Sequence, residues 1–98
     1  MNQLLRHSFW RVPFVFLLAF LVWGCSDYRK GRSAYEAGEY KKALQIFEQL
    51  SNSGDSQAQY DLSQMYLQGI GTEKNLEKGW VWMNRAADGG NVQAMLEL

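Results

Sequence analysis

The apolar residues between Tyr28 and Leu98 recur at helical spacing. Tyr40, Ala43, Leu44, Phe47 and Leu50 fall three or four apart, with Lys41, Lys42, Gln45, Glu48 and Gln49 mostly on the other side. That spacing predicts a helix with one buried face. Ser51–Gly54 breaks the pattern, and Asp55 or Ser56 can cap a second helix on which Ala58, Leu62, Met65, Tyr66 and Gly69 share a stripe. Gly69–Asn75 reads as a loop. A further helix is expected from about Leu76 to Asp88, with Gly79, Trp82, Met83 and Ala86 on one stripe and Leu76, Trp80 and Ala87 beside it. Gly89-Gly90 ends it, glycine being the usual residue of a left-handed helix cap. A shorter helix, from about Tyr28 to Ala37, precedes Gly38. No stretch alternates with period two, so no strand is expected.

One phrase occurs twice. GDSQA at Gly54–Ala58 returns as GNVQA at Gly90–Ala94, and a leucine stands four residues after each alanine, at Leu62 and Leu98. Helix–loop–helix units repeated at a fixed interval predict an α-solenoid, in which each hairpin buries the face that its neighbour cannot bury alone. The recurring phrase then marks the capped start of each unit and a close helix contact at Ala58 and Ala94.

The first 24 residues follow a different pattern. MNQLLRHSFWR carries Arg6 and Arg11 and no acid, and Val12–Trp23 is apolar apart from Pro13. This run has about the length of a signal-peptide core and is short for a membrane span, which takes roughly 17–25 residues. The order basic, apolar, Gly24, Cys25 resembles a bacterial lipoprotein signal. That resemblance implies cleavage before Cys25, acylation of its thiol and of the new amine, and a short tether to residue 28. Trp23 and Val22 depart from the motif's usual residues. A plain signal peptide or an uncleaved anchor helix with an incidental cysteine is the alternative. Ser26, directly after the cysteine, resembles outer-membrane sorting, whereas Asp in that place would resemble inner-membrane retention and here stands one place later, at Asp27.

The residues Ala58–Gly90 resemble a Sel1-like repeat, a relative of the tetratricopeptide repeat. The features that match are Ala58, Leu62, Tyr66, the Gly69-x-Gly71 loop, Lys78, Trp82, Ala86-Ala87 and Gly89. Ser63, Thr72 and Gly79 depart from it, standing where Gly, Val and Ala are usual. Gly79 suggests a less stable helix, since Gly costs about 1 kcal/mol against Ala in a helix interior. Upstream, Gly38, Tyr40, Ala43 and Phe47 match the turn and helix contacts of a tetratricopeptide-like unit. The resemblance implies an all-α, short right-handed α-solenoid. Its parts are a signal peptide at 1–24, a lipidated Cys25 and tether at 25–28, a tetratricopeptide-like hairpin at 29–54, a Sel1-like repeat at 55–90 and the start of a further repeat at 91–98. It also implies that the first helix of each hairpin lines a concave side, which would carry Tyr35, Gln57, Tyr60 and Gln64 as a protein-binding face. Tyr offers flat apolar area and Gln pairs with backbone amides, although merely exposed positions would look the same.

Charge and chemistry narrow the function. The 98 residues are formally neutral, but all ten acids lie beyond Cys25 with only eight of the ten basic residues, so the body is net negative. No basic cluster tracks a phosphate backbone, which argues against nucleic acid. The single cysteine allows no internal disulfide. His7, the only histidine, lies in the leader, so no nucleophile–base pair, metal site or cofactor site is expected in the body. Glu73 and Glu77 suit a helix start better than a carboxylate pair. Gly69-Ile70-Gly71 lacks the residues of a phosphate loop. Trp82 fits core packing, whereas Trp80 could pack or stack on a ligand. The expected function is a scaffold for a protein or peptide partner, lipid-anchored in the bacterial cell envelope and facing the periplasm. The alternative is a truncated or degenerate fragment of a longer repeat protein. An enzyme of the cysteine-rich Sel1-repeat type fits less well, because its paired cysteines are missing. The apolar residues of the last full helix are also expected to leave the C-terminal end marginal or self-associating.

Overall fold

A computed structural model describes residues 27–98. The expectations for the signal segment and for Cys25 lie outside the described residues. Among the described residues five helices follow one another: α1 at 27–36, α2 at Tyr40–Asn52, α3 at Ser56–Gln68, α4 at Leu76–Asp88 and α5 at Val92–Glu97. No strand occurs among the described residues. The fold is thus all-helical, a solenoid of helical hairpins in which α1 pairs with α2 and α3 with α4.

The helix boundaries follow from local chemistry. Asp55, not Ser56, caps α3: its carboxylate accepts from the amides of Gln57 (3.0 Å) and Ala58 (3.1 Å). Asn75 caps α4 by accepting from Lys78 N–H (3.0 Å), and Asn91 caps α5 by accepting from Ala94 N–H (2.9 Å). The recurring phrase is one structural device used twice. Gly54 and Gly90 have φ of 97° and 92°. Asp55 N–H donates back to Leu50 C=O (3.1 Å), and Asn91 N–H to Ala86 C=O (2.9 Å), thirty-six residues further on. Each device closes one helix and caps the next.

Two apolar clusters hold the hairpins together. Ala34, Ala43, Phe47, Ala58, Leu62, Met65 and Tyr66 form the larger, where α1, α2 and α3 meet. Met83, Ala86 and Ala94 form the smaller, between α4 and α5, with Tyr60, Leu67 and Ala87 against it. Small residues set the spacing: Ala43, Ala58, Ala86 and Ala94 have no exposed surface, so backbones approach closely where the sequence pattern put Ala.

Gly79 has a packing reason beside its propensity cost. A Cβ there would lie 2.5 Å from Leu67 Cδ2 and 3.3 Å from the Leu67 backbone nitrogen. The missing methyl group is what lets α4 seat against α3, so the propensity cost is exchanged for packing. Ser63, the other departure, is fully buried, and its hydroxyl donates to Tyr60 C=O at 2.6 Å. In the Gly69–Gly71 loop, Gly71 combines φ of 74° with a site where a Cβ would meet the Tyr40 carbonyl oxygen at 2.7 Å. Only glycine lets this loop rest on the start of α2.

Candidate functional site

The first helix of each hairpin contributes to one continuous polar strip. On α1, Tyr28, Arg32 and Tyr35 are spaced i, i+4 and i+7 and share a face. The Tyr28 hydroxyl donates to Asp61 Oδ2 of α3 at 2.7 Å. On α3, Gln57 Oε1 accepts from Asn91 Nδ2 at 3.2 Å, which reaches the start of α5. Glu97 on α5 takes one donor on each carboxylate oxygen: Tyr60 OH at 2.6 Å and Gln64 Nε2 at 2.8 Å. Gln68 Nε2 in turn donates to Gln64 Oε1 at 3.0 Å and fixes the amide's orientation. Successive first helices are therefore laced by side-chain hydrogen bonds along the face that the sequence assigned to binding.

The four expected residues do not form one patch. Gln57, Tyr60 and Gln64 stand together on α3, each partly buried, Gln57 bonded to the α5 cap Asn91 and the other two to Glu97 of α5. Tyr35 belongs to α1, packs edge-to-face on Tyr40 with ring centroids 5.2 Å apart, and carries the Arg32 guanidinium over its ring at 5.4 Å. Tyr28, Arg32, Asp61, Asn91 and Glu97 complete the strip and were not singled out from sequence. The only sequence signal for the first two was their heptad-like spacing with Tyr35.

Electrostatics along the strip follow from burial. Burial raises the Asp61 carboxyl above its ordinary value, against the opposing effects of the Tyr28 hydroxyl and the Arg32 charge. Burial, followed by the hydrogen bond to Asp61, pushes the Tyr28 phenol up. The Tyr60 phenol is raised chiefly by its bond to Glu97. Tyr28 and Tyr60 thus stay neutral donors at neutral pH, each hydroxyl engaged by a carboxylate.

The second helices make a different surface. A groove of about 510 Å³ runs between α2 and α4, lined by Glu48, Tyr66, Lys78, Val81, Trp82 and Arg85 among others. Tyr66 OH donates to Glu48 Oε1 at 2.8 Å, and the Arg85 guanidinium lies 4.8 Å from the Trp82 ring centroid. Trp82 packs against the larger core cluster, while Trp80 is 43% exposed on another side of α4. Among the described residues no group of three or more His, Cys, Asp or Glu could hold a metal ion, and no helix is long and apolar enough to cross a membrane.

Comparison with known proteins agrees with this architecture. The family model described as Sel1 repeat matches residues 56–91. The chain is similar to the sel1-like repeat-containing protein L18 of Acanthamoeba polyphaga mimivirus, 44% identical over 46 residues, which are 47% of this chain and 8% of that protein. Its fold resembles the crystal structure of a Sel1 repeat protein from Oxalobacter formigenes, with a TM-score of 0.69, 27% identity, and coverage of 74% of this chain and 22% of that one. The chain spans less than a quarter of either relative. Residues 56–91 thus match a Sel1 repeat, and the described residues share the helical-hairpin fold of a solved Sel1 repeat protein.

Proposed function

We propose that this protein is a membrane-anchored scaffold that holds a protein or peptide partner against the face shared by α1, α3 and α5. The observation that carries the reading is the polar strip on that face, where Gln57, Tyr60 and Gln64 stand together on α3, held by hydrogen bonds to Asn91 and Glu97, with Tyr35 apart on α1. Sel1 repeats generally act as non-enzymatic scaffolds for protein–protein contact, which supports the same reading. Its hairpins are residues 29–54 and 55–90. Anchoring is the second half of the proposal. Arg6, Arg11, the apolar run to Trp23, Gly24 and Cys25 stand in the order of a lipoprotein signal. Two or more acyl chains at Cys25 would hold the scaffold stably on a membrane of the cell envelope. It would face the periplasm, with the outer membrane favoured.

The test uses the full chain expressed in a bacterium and recovered from envelope extract. Wild type is expected to incorporate labelled fatty acid and to retain a stoichiometric protein partner. Cys25→Ser is expected to lose the label and the cleavage while keeping the fold, and Tyr60→Ala with Gln64→Ala to lose the partner while keeping the label. Unlabelled wild type, or a partner that the double variant retains in full, contradicts the corresponding half.

A further inference from the structure

The groove between α2 and α4 carries charge that the fold itself does not use. Its floor is Tyr66 of α3, which is buried. One wall holds Glu48 and Asn52 of α2, and the other Lys78, Val81, Trp82 and Arg85 of α4. All three helices lie inside the described solenoid, and each unit of a solenoid contacts only its neighbours. The shape of the groove therefore does not depend on what precedes α1 or follows α5. Its volume of about 510 Å³ falls within the roughly 300–1,000 Å³ of ligand sites.

The two walls differ in charge. Lys78 and Arg85 are exposed, and among the described residues neither side chain forms an ion pair or a hydrogen bond; the ion pairs there join Asp27 to Lys30, Arg32 to Glu36 and Glu39 to Lys42. Each cation lies instead over an aromatic ring, Lys78 Nζ 5.6 Å from the Tyr66 centroid and the Arg85 guanidinium 4.8 Å from that of Trp82. A ring holds a cation in place without using up its N–H donors. On the facing wall, Glu48 already accepts from Tyr66 OH and repels a further carboxylate from that side. An acidic occupant is thus steered onto α4, while Asn52 offers an amide to a peptide main chain.

Spacing narrows the occupant further. Lys78 and Arg85 are seven residues apart, two helical turns, and so about 10.5 Å apart along the axis. Between them lie Val81, 45% exposed, and the half-buried Trp82. The wall therefore runs cation, apolar, cation. An extended peptide sends alternate side chains to one face. The pattern acid-x-apolar-x-acid then sets two carboxylates about 13 Å apart around one apolar side chain, and the long Lys and Arg stems take up the difference. Residues ahead of Cys25 cannot supply these acids, since all ten follow it. A phosphate backbone would meet only these two cations, with Glu48 and Glu77 beside them.

We propose that the α2–α4 groove is a second binding site, which takes an extended acidic segment of a partner protein, its carboxylates on Lys78 and Arg85 and an apolar side chain on Val81 and Trp82. The site is independent of the face on α1, α3 and α5, so either proposal can fail alone.

The experiment uses the full chain in mild detergent and the fluorescein-labelled peptide Gly-Glu-Gly-Leu-Gly-Glu-Gly, followed by fluorescence anisotropy. Wild type is expected to bind it saturably, and not to bind the same peptide with Gln in place of Glu. Lys78→Gln with Arg85→Gln is expected to weaken binding roughly tenfold, the effect of losing two exposed ion pairs. Val81→Glu, which sets a carboxylate between the two cations at an exposed position, is expected to weaken it as well, with helical circular dichroism unchanged. Tyr60→Ala with Gln64→Ala is expected to bind as wild type does. Absence of binding, equal binding of the Gln peptide or of a labelled oligothymidine, or full binding by the Lys78→Gln, Arg85→Gln variant would overturn the proposal. Loss of the peptide through Tyr60→Ala with Gln64→Ala would also overturn it, by placing the peptide on the other face.

Discussion

Three tyrosines do the same job at different helix contacts. Tyr28, Tyr60 and Tyr66 each donate a hydroxyl to a carboxylate on another helix, Asp61, Glu97 and Glu48 in turn. An amphipathic ring lets a half-buried position contribute to the core and still reach a polar partner at its rim. The arrangement sets a pH limit. Burial and the Glu48 carboxylate push the Tyr66 phenol up to about 12, from an ordinary value of 10.0. A folded-state value above the unfolded one means that this contribution is complete below pH 10 and lost as the pH rises towards 12. Tyr66→Phe is expected to cost about 1 kcal/mol at pH 7 and to remove one late-titrating tyrosine from the ultraviolet titration. A variant whose titration matched wild type would show that Tyr66 ionises freely. Gly79 offers a second check at this scale. Gly79→Ala gains helix propensity of about 1 kcal/mol, yet is expected to lower the urea midpoint, because overpacking of this kind costs about 1–3 kcal/mol once Leu67 has to move. The sequence shows Gly79 as a departure from the repeat, but not what its absent methyl would strike. Propensity is a property of one helix, and the Leu67 contact is a property of two.

At the level of elements, the caps and breaks were the most legible features. Asp55 with Gly54, and Asn91 with Gly90, advertise helix starts because the capping bond spans only two or three residues and needs no tertiary partner. The helix from Leu76 to Asp88 was legible for a related reason: its apolar stripe and both ends are local. The ties between helices were not legible. Tyr28 and Asp61 are separated by 33 residues and Tyr60 and Glu97 by 37. Such pairs are selected by how hairpins stack, so spacing could place Tyr60 and Gln64 on a face without revealing that Glu97 holds them. The short helix α5 depends most on its cap. Asn91→Ala is expected to cost about 1 kcal/mol and to speed amide exchange in Val92–Glu97 while leaving Ser56–Gln68 protected. Equal acceleration in both helices would mean that α5 unfolds only with the rest.

On the scale of the whole molecule, two surfaces with different chemistry divide the labour. The strip on α1, α3 and α5 is polar and laced by side-chain hydrogen bonds; the groove between α2 and α4 sets Trp82 and Val81 beside Lys78 and Arg85. Solenoids distribute stability over nearest-neighbour contacts, so no single polar tie is expected to decide the fold. The general frame was visible in the sequence because the repeated phrase fixed the register; the division between surfaces was not, since exposure depends on which neighbour is present. The claim that the first helices form the recognition face is tested most directly by placing a photo-reactive phenylalanine analogue singly at Gln57, Gln64 and Gln45 of the full chain in its native envelope. A discrete adduct of the same mass from positions 57 and 64, and none from the exposed α2 position 45, is the predicted result. Adducts from position 45 with none from 57 or 64 would contradict the account.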